Sequence, residues 1–594
     1  MTCFTRRARL PSASIILRRV NRQGARFPAL VAFALLGAGL LEAGRLALYK
    51  YYAIDELMHA HASWLTARGF LPYRDFCDFH FPLLYQLLGA LWVGMSDDPG
   101  NVLFLRLVML GLVFVIALAA GAVNRREGLV AAFAAPAILL TIAPFAIRAT
   151  EIRHDTLAFA CFLSGLAVLS PDGSSPRVRG VVAGVLLALA AWSSQKVLLY
   201  GLPAGVILVV DTVRRGRNAP SAFGSVGAVW VGGGTVGALA ALYLTVTGSW
   251  NGFLTYCFGW ALRWQAEYPG FSFRRFLAPG ADGYVTACFL AAAGLGVSLV
   301  AWRRRGGTLS DPDVLLAASF AGSLVYFLAL KAPYDYNLIP FLGFVGVFAG
   351  RGVGALAAAG TSPRLGVARP MAPFVSTLAV VVALASPALA LRRVELFALQ
   401  SNALQHEVLA QVAALTSPGD AAYDNSGSYV ARPSASFYFY TDEPMRARLG
   451  DLLARRIPED ILKSGAVLFF NDARSAGLPA SLRTFLGEHF KPYSGDLWLW
   501  GQSYRADAAG RVVSRFQAVR KDRFFVEPAS LLEKGTLTID GHRIETPVFE
   551  LESGPHAVSF EGSPSVDLHI LWLPRDGHAW VPDFGAKPRF SRIL

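Results

Sequence analysis

Long, nearly uncharged apolar segments recur from position 28 to position 391 and then stop, and this constrains the chain more than any single motif. A helix needs about 20 apolar residues to cross roughly 30 Å of hydrocarbon. Inside lipid every backbone polar group must be satisfied internally, so continuous apolar runs of that length predict helices. The segments lie near 28–48, 102–123, 129–147, 155–170, 178–195, 197–213, 223–247, 282–302, 313–330, 337–358 and 371–391. The expected fold is therefore a polytopic α-helical membrane protein of about eleven spans. Only 16% of the 594 residues are charged and 54% are hydrophobic, against about 25% charged in soluble domains. Disordered and collagen-like classes are excluded. The five cysteines have no C-x-x-C spacing, which gives no metal or disulfide framework.

The net charge of +14 suggests nucleic acid in a soluble chain. Here the arginines crowd the short connections between apolar segments, so the charge reports orientation and no nucleic-acid partner is expected. Residues 1–27 carry Arg6, Arg7, Arg9, Arg18, Arg19, Arg22 and Arg26 without an acid, which predicts a cytoplasmic N-terminus and an uncleaved anchor at the first span. The apolar piece Phe81 to Met95 is too short to cross and is assigned to the outer interface. With that choice Arg125, Arg126, Arg177, Arg179, Arg214, Arg215, Arg217, Arg303, Arg304, Arg305, Arg364 and Arg369 fall inside. Loops 49–80, 148–154, 249–281 and 331–336 fall outside, and so does the chain beyond Arg392.

That C-terminal region keeps aromatics, apolar runs and turn signals, so it is read as folded. Helical periodicity over 393–415, the apolar run 466–470 and a helical 479–489 predict an α/β unit across 392–515. Short strands at 536–539, 548–551, 557–560 and 566–572, with the turn pair Asp540-Gly541, predict a β-sandwich-like unit across 520–594. The membrane domain is expected to carry the chemistry, since the tail shows no nucleophile and base pattern.

Candidate chemistry gathers in the first outer loop, residues 51–85. Asp55, Glu56, His59, His61, Asp75, Asp78 and His80 are interleaved there with Trp64, Phe70, Tyr73, Phe76, Phe79 and Phe81. A second cluster, Glu151 to Asp155, is expected on the same side. A carboxylate acting as general base must reach an acceptor hydroxyl, while a second carboxylate with a divalent cation or an arginine neutralises charge on a leaving phosphate. Asp55 and Asp155 suit those two roles. Taken alone, Asp155 also reads as a favourable residue in the first turn of its own helix.

These elements resemble the GT-C glycosyltransferases, in the branch of protein O-mannosyltransferases and the lipid A aminoarabinose transferase. The resemblance rests on Asp55-Glu56 after the first span, Gly69 to Pro72, Tyr73-Arg74-Asp75, and His80-Phe81-Pro82-Leu83-Leu84-Tyr85. Arg153-His154-Asp155 and the stretch from Lys331 to Pro340 extend it. It implies inverting transfer of a sugar from a polyprenyl-phosphate donor to a glycolipid, polysaccharide or protein acceptor, at the periplasmic face of a bacterial inner membrane. Asp55 would be the base, with Glu56 beside it. Asp155 and His154 would hold a divalent metal, magnesium, manganese or zinc. Arg153, His80, Lys196 and Lys331 would meet the donor phosphate, and Tyr73, Asp75, Tyr85, Tyr334 and Tyr336 would line the substrate site. His80 stands where the family pattern has a lysine, and Phe81 replaces its first proline.

Two other classes stay open on the sequence. Glu56 to His59 and Glu151 to His154 are both E-x-x-H, the spacing of a helical metal site, which suggests an oxidase or hydroxylase. A polytopic transporter of a lipid-linked or anionic substrate is the non-enzyme alternative, although its ionisable groups would sit near the bilayer midplane. The aromatic stretch 250–268 is read as a wall of a lipid entry groove or as an interfacial anchor.

Overall fold

The computed structural model describes residues 26–169, 175–218, 226–263, 281–329, 331, 334–360, 372–398 and 401–575. Among these, seven helices are long and apolar enough to cross a membrane, or eight when the bent pair Leu129–Thr141 and Ala143–Ala149 is one span. That pair turns by 78° at its break. The other three expected segments are also helical: His154–Leu169, Lys196–Tyr200 followed by Leu202–Asn218, and Ala372–Ala398. The basic N-terminal residues before Arg26, Arg364, Arg369 and the end of the 250–268 stretch lie outside the described residues.

Helices pack through small residues, as expected where lipid gives no hydrophobic drive to association. A Cβ added at Gly184 would meet the Val229 carbonyl oxygen at 2.0 Å, and one at Gly232 would meet that of Val181 at 2.1 Å. Polar groups gather at the two ends of the bundle. At the end predicted cytoplasmic, buried Arg351 donates from Nε to Asn124 Oδ1 at 2.7 Å and pairs from Nη1 with Asp313 Oδ1 at 2.8 Å. Asp313 also receives Arg305 at 2.6 Å.

The opposite end is built on the first span, α1 (Arg26–Tyr49), which runs into α2 (Ile54–Ala67) and then α3 (Leu83–Trp92). At ten residues, α3 is about 15 Å long, half of the hydrocarbon thickness. It lies against α2, where a Cβ on Gly89 would meet the Ser63 carbonyl at 3.0 Å. The chain returns to this end at Asn402, whose backbone and side-chain nitrogens donate to the Tyr49 and Leu48 carbonyls. The C-terminal region therefore begins beside the end of the first span.

That region contains two sheets. One has the order β1 (Ala422–Tyr423), β2 (Leu468–Phe470), β4 (Leu497–Arg505), β11 (Asp567–Trp572), β6 (Asp522–Glu527), β9 (Val548–Leu551), with β3 (Phe490–Ser494) also on β4. The other runs β5 (Arg511–Ala518), β10 (Gly554–Glu561), β7 (Thr536–Ile539), β8 (His542–Arg543). The expected hairpin at Asp540-Gly541 forms, with both residues at positive φ, 53° and 79°. The expected boundary between 515 and 520 does not separate two units. β11 pairs with β4 along Asp567 to Leu571, and β10 pairs with β5 along its whole length, so both sheets draw strands from either side. Strand order was the missing information, because hydrophobic alternation gives strands but not their partners.

One buried core runs from α2 and α3 into these sheets, joining Leu57, Met58, Trp64 and Leu65 to Tyr423, Val430, Phe439 and Phe470. Each such side chain contributes roughly 1.5–3 kcal/mol by leaving water. The C-terminal region is thus packed on the helix that carries Asp55.

Candidate active site

α2 starts immediately after the first span because Ala53 is extended and Glu56, three positions into the helix, folds back to accept from the Ala53 N–H at 2.9 Å. This satisfies one of the amides left open at a helix start. It also aims Asp55 and Glu56 in different directions. Glu56 is fully buried and accepts from Arg106 Nε at 2.9 Å, Arg106 Nη2 at 2.5 Å and the Ile152 N–H at 3.2 Å. Arg106 continues to the Lys50 and Tyr51 carbonyls and lies 4.3 Å from the Tyr52 ring. Glu56, expected beside Asp55 in catalysis, is instead the anion of a buried clasp whose acceptors are occupied.

Asp55 points toward Arg474 and Arg153. Its Oδ1 accepts from Arg474 Nη2 at 2.7 Å and its Oδ2 from Arg153 Nη1 at 3.4 Å. Burial pushes its carboxyl up, but Arg474 and Arg153 outweigh burial and hold it below the ordinary carboxylate range. Arg153 also donates from Nε to Glu151, which receives Lys50 and Arg148 as well. Tyr336 lies under two cations, 4.1 Å from the Arg153 guanidinium and 4.9 Å from Lys196 Nζ. Tyr334 stacks on Tyr336 at 5.4 Å, and Lys331 is exposed.

The expected metal pair is not assembled. Asp155 is taken by Lys196 Nζ at 2.6 Å and Ser194 Oγ at 3.3 Å. His154 turns instead toward His59 and His80, and one ligand atom from each of the three lies within 4.8 Å of the others. A carbonyl can only accept, so His154 Nδ1, 3.1 Å from the Ser193 oxygen, carries its proton there. Neutral His154 therefore presents a lone pair on Nε2, a buried atom with no hydrogen-bond partner among the described residues. His59 Nδ1 meets Tyr85 Oη at 3.1 Å, and burial followed by neighbouring cationic groups keeps its imidazole well below its usual pKa. His80 Nδ1 is 3.0 Å from Asp78, which also accepts from Tyr85 Oη at 2.7 Å. Ring nitrogens oriented by a carbonyl, a carboxylate and a phenol form the usual second layer of an imidazole metal site. His80, expected at the donor phosphate, lies in this cluster.

The same cluster divides the two E-x-x-H pairs. Their histidines converge, while Glu56 and Glu151 are bound to basic side chains, so the helical carboxylate-metal arrangement of an oxidase does not form. Of the expected substrate residues, Tyr73 is buried at φ 68° and donates to the His80 carbonyl. It packs on Phe253, and Phe253 packs on Phe81, so the described part of the aromatic stretch is a wall behind His80. Asp75 caps its own turn by accepting from the Leu71 N–H at 2.8 Å. It lines a separate cavity of about 440 Å³ with Phe70, Phe437, Arg456 and Lys463.

Lys50, Arg106 and Arg148 carried no signal beyond their place at span ends, and Arg474 and Tyr440 none at all. Arg474 arrives from the C-terminal region, with its guanidinium 5.0 Å from the Tyr440 ring.

No family model matches the chain, and no curated protein matches it. It is similar to the solved structure of ArnT from Cupriavidus metallidurans bound to undecaprenyl phosphate, with a TM-score of 0.48, 15% identity, and coverage of 80% of this chain and 97% of that one. It is also similar to the Archaeoglobus fulgidus oligosaccharyltransferase, with a TM-score of 0.46, 11% identity, and coverage of 78% and 73%. For the arabinosyltransferase EmbB from Mycobacterium smegmatis the TM-score is 0.35, with 12% identity and coverage of 91% and 64%.

Proposed function

We propose that the chain is an inverting glycosyltransferase that moves a sugar from a polyprenyl-phosphate donor to an acceptor hydroxyl or phosphate at the outer face of a bacterial inner membrane. The observation that carries this reading is the geometry of one salt-bridged chain. Lys50, Arg106, Arg148, Arg153 and Arg474 are linked through Asp55, Glu56 and Glu151, five cations on three carboxylates. Further acids act on the same cations, Asp335 on Arg148 and Asp472 on Arg474, so the support lies in geometry: Arg153 and Arg474 converge on Asp55 and offer fixed paired donors to an anion such as a phosphate monoester. They sit at the end of the bundle, where a lipid tail would stay in the membrane while its phosphate reaches the site.

Asp55 would take the acceptor proton. As the acceptor oxygen bonds to the anomeric carbon, the carbon–phosphate oxygen bond breaks on the opposite face and the electron pair leaves with the polyprenyl phosphate. Arg153 is suited to that leaving group, since a guanidinium stays charged and offers parallel donors. Lys196, neutralised by Asp155, lies at the same tyrosine and adds a second donor.

His59, His80 and His154 would hold a divalent metal. Imidazole ligands favour zinc over magnesium or manganese, which prefer oxygen. When bound, such an ion supplies Lewis-acid stabilisation of an oxygen.

The test is incubation of purified full-length chain with a labelled polyprenyl-phosphate sugar and an acceptor, following released polyprenyl phosphate and the anomeric configuration of the product. Release with inversion is expected. Retention of configuration, or no release over the protein-free control, would refute the reading.

A further inference from the structure

The C-terminal region sends a side chain into the site. Asp472 accepts from the backbone N–H groups of Arg474 and Ser475 at 2.9 and 3.1 Å, which fixes the short turn Ala473–Gly477 that carries Arg474. Asp472 is itself held by Ser426 Oγ. Ser426 belongs to the loop Asp424-Asn425-Ser426-Gly427-Ser428, where the Asp424 carboxylate accepts from the N–H groups of Ser426, Gly427 and Ser428 at 3.0, 2.6 and 2.7 Å. The loop sits on α2. His61 Nδ1 meets the Val430 carbonyl at 2.5 Å, and a Cβ on Gly427 would come within 2.9 Å of the His61 ring. The helix that carries Asp55 thus also seats the loop that aims Arg474.

Arg474 uses only part of its guanidinium. Nη2 is on Asp55, one face lies over Tyr440, and Nη1 is buried with no hydrogen-bond partner among the described residues. A guanidinium presents its terminal nitrogens as a fork that matches two oxygens of a carboxylate or phosphate. A buried donor left unmade costs free energy that a ligand oxygen would recover. Arg153, the other guanidinium on Asp55, also donates to Glu151, and His80 is on Asp78.

Resting on the transferase reading above, we infer that Arg474 is a donor-phosphate ligand contributed by the C-terminal region, so that the phosphate site closes only when that region is docked on α2. Arg153 and Arg474 then meet the phosphate from the membrane domain and from the tail, each bridging from it to Asp55.

The experiment is equilibrium binding of undecaprenyl phosphate to the full-length chain in detergent, with undecaprenol as the uncharged control. Wild-type protein is expected to prefer the phosphate. Arg474→Gln should lose about tenfold in affinity for the phosphate, the loss of one charged hydrogen-bond donor, with affinity for the alcohol unchanged. Hydrogen exchange over residues 424–430 reports whether the tail stays docked. If Arg474→Gln releases it, Arg474→Lys keeps the charge, loses the fork, and is expected to fall several-fold. A wild type that prefers phosphate while both variants bind it normally overturns the inference and leaves the transferase reading standing. A wild type with no preference for phosphate overturns both.

Discussion

Asp55 Oδ1 and Arg474 Nη2 lie 2.7 Å apart although 419 residues separate them in the chain. The carboxylate is held ionised between two guanidiniums, in the state a general base requires. Asp55→Asn keeps the size of the side chain and removes the proton acceptor, so transfer is expected to fall by about 10²- to 10⁴-fold in protein that remains monodisperse. Turnover per folded molecule is the measurement.

Glu56→Gln should behave in the opposite way. Its partner Arg106 is fully buried and would be left without its counter-ion, a loss of about 3–5 kcal/mol for a buried pair broken from one side. The expected outcome is a large fall in unfolding temperature, with turnover of the surviving folded fraction close to wild type. Full stability with lost turnover would return Glu56 to the chemistry.

Metal binding separates the histidine cluster from the motif that first suggested a metal. His154→Ala removes the unpartnered Nε2 and should weaken zinc binding by at least about 100-fold, since a three-ligand site becomes a two-ligand one. Asp155→Asn should leave zinc affinity near wild type, because Asp155 is engaged by Lys196. Calorimetric titration of zinc into metal-free protein compares them, and a loss confined to Asp155→Asn would restore the sequence expectation.

The Asp424 and Asp472 carboxyls give the tail a pH dependence. Ser426 Oγ is 2.9 Å from Asp424 Oδ2 and 2.5 Å from Asp472 Oδ2, yet a hydroxyl has one proton to donate. Burial first, and then the negative charge of Asp472, raises the Asp424 carboxyl, and burial raises that of Asp472. A carboxyl raised by folding keeps a proton that the unfolded chain has already released, so stability falls as pH climbs from about 4 toward neutrality. Thermal unfolding should show the tail more stable at pH 5 than at pH 8, and Asp424→Asn should shrink the difference. An unchanged pH slope in that variant would contradict the shared proton.

The helical architecture was legible because a span announces itself by the length of its apolar run. The lengths also set α3 apart as a shorter apolar helix. Asp55, Arg153, Asp155, Lys196 and Tyr336 were placed at one end by the same reasoning, and the structure brings them together around Tyr336. Roles within that set were less legible. The E-x-x-H spacing puts Glu56 and His59 on one helix face, but Arg106, a helix away, decides that only the histidine is left for a ligand. Arg474 had no local signal, since its direction is set by Asp472, Ser426 and the docking of loop 424–430 on His61. The shared sheets of the tail were hidden for a similar reason: β4 meets β11 across more than sixty intervening residues.

The most direct test is a single-turnover assay with a radiolabelled polyprenyl-phosphate sugar, comparing wild type and Asp55→Asn at equal amounts of folded protein. Wild type is expected to release polyprenyl phosphate in step with an inverted glycoside product, and Asp55→Asn to bind the donor without releasing it. Equal release by both proteins, or donor that remains intact with wild type, would contradict the assignment.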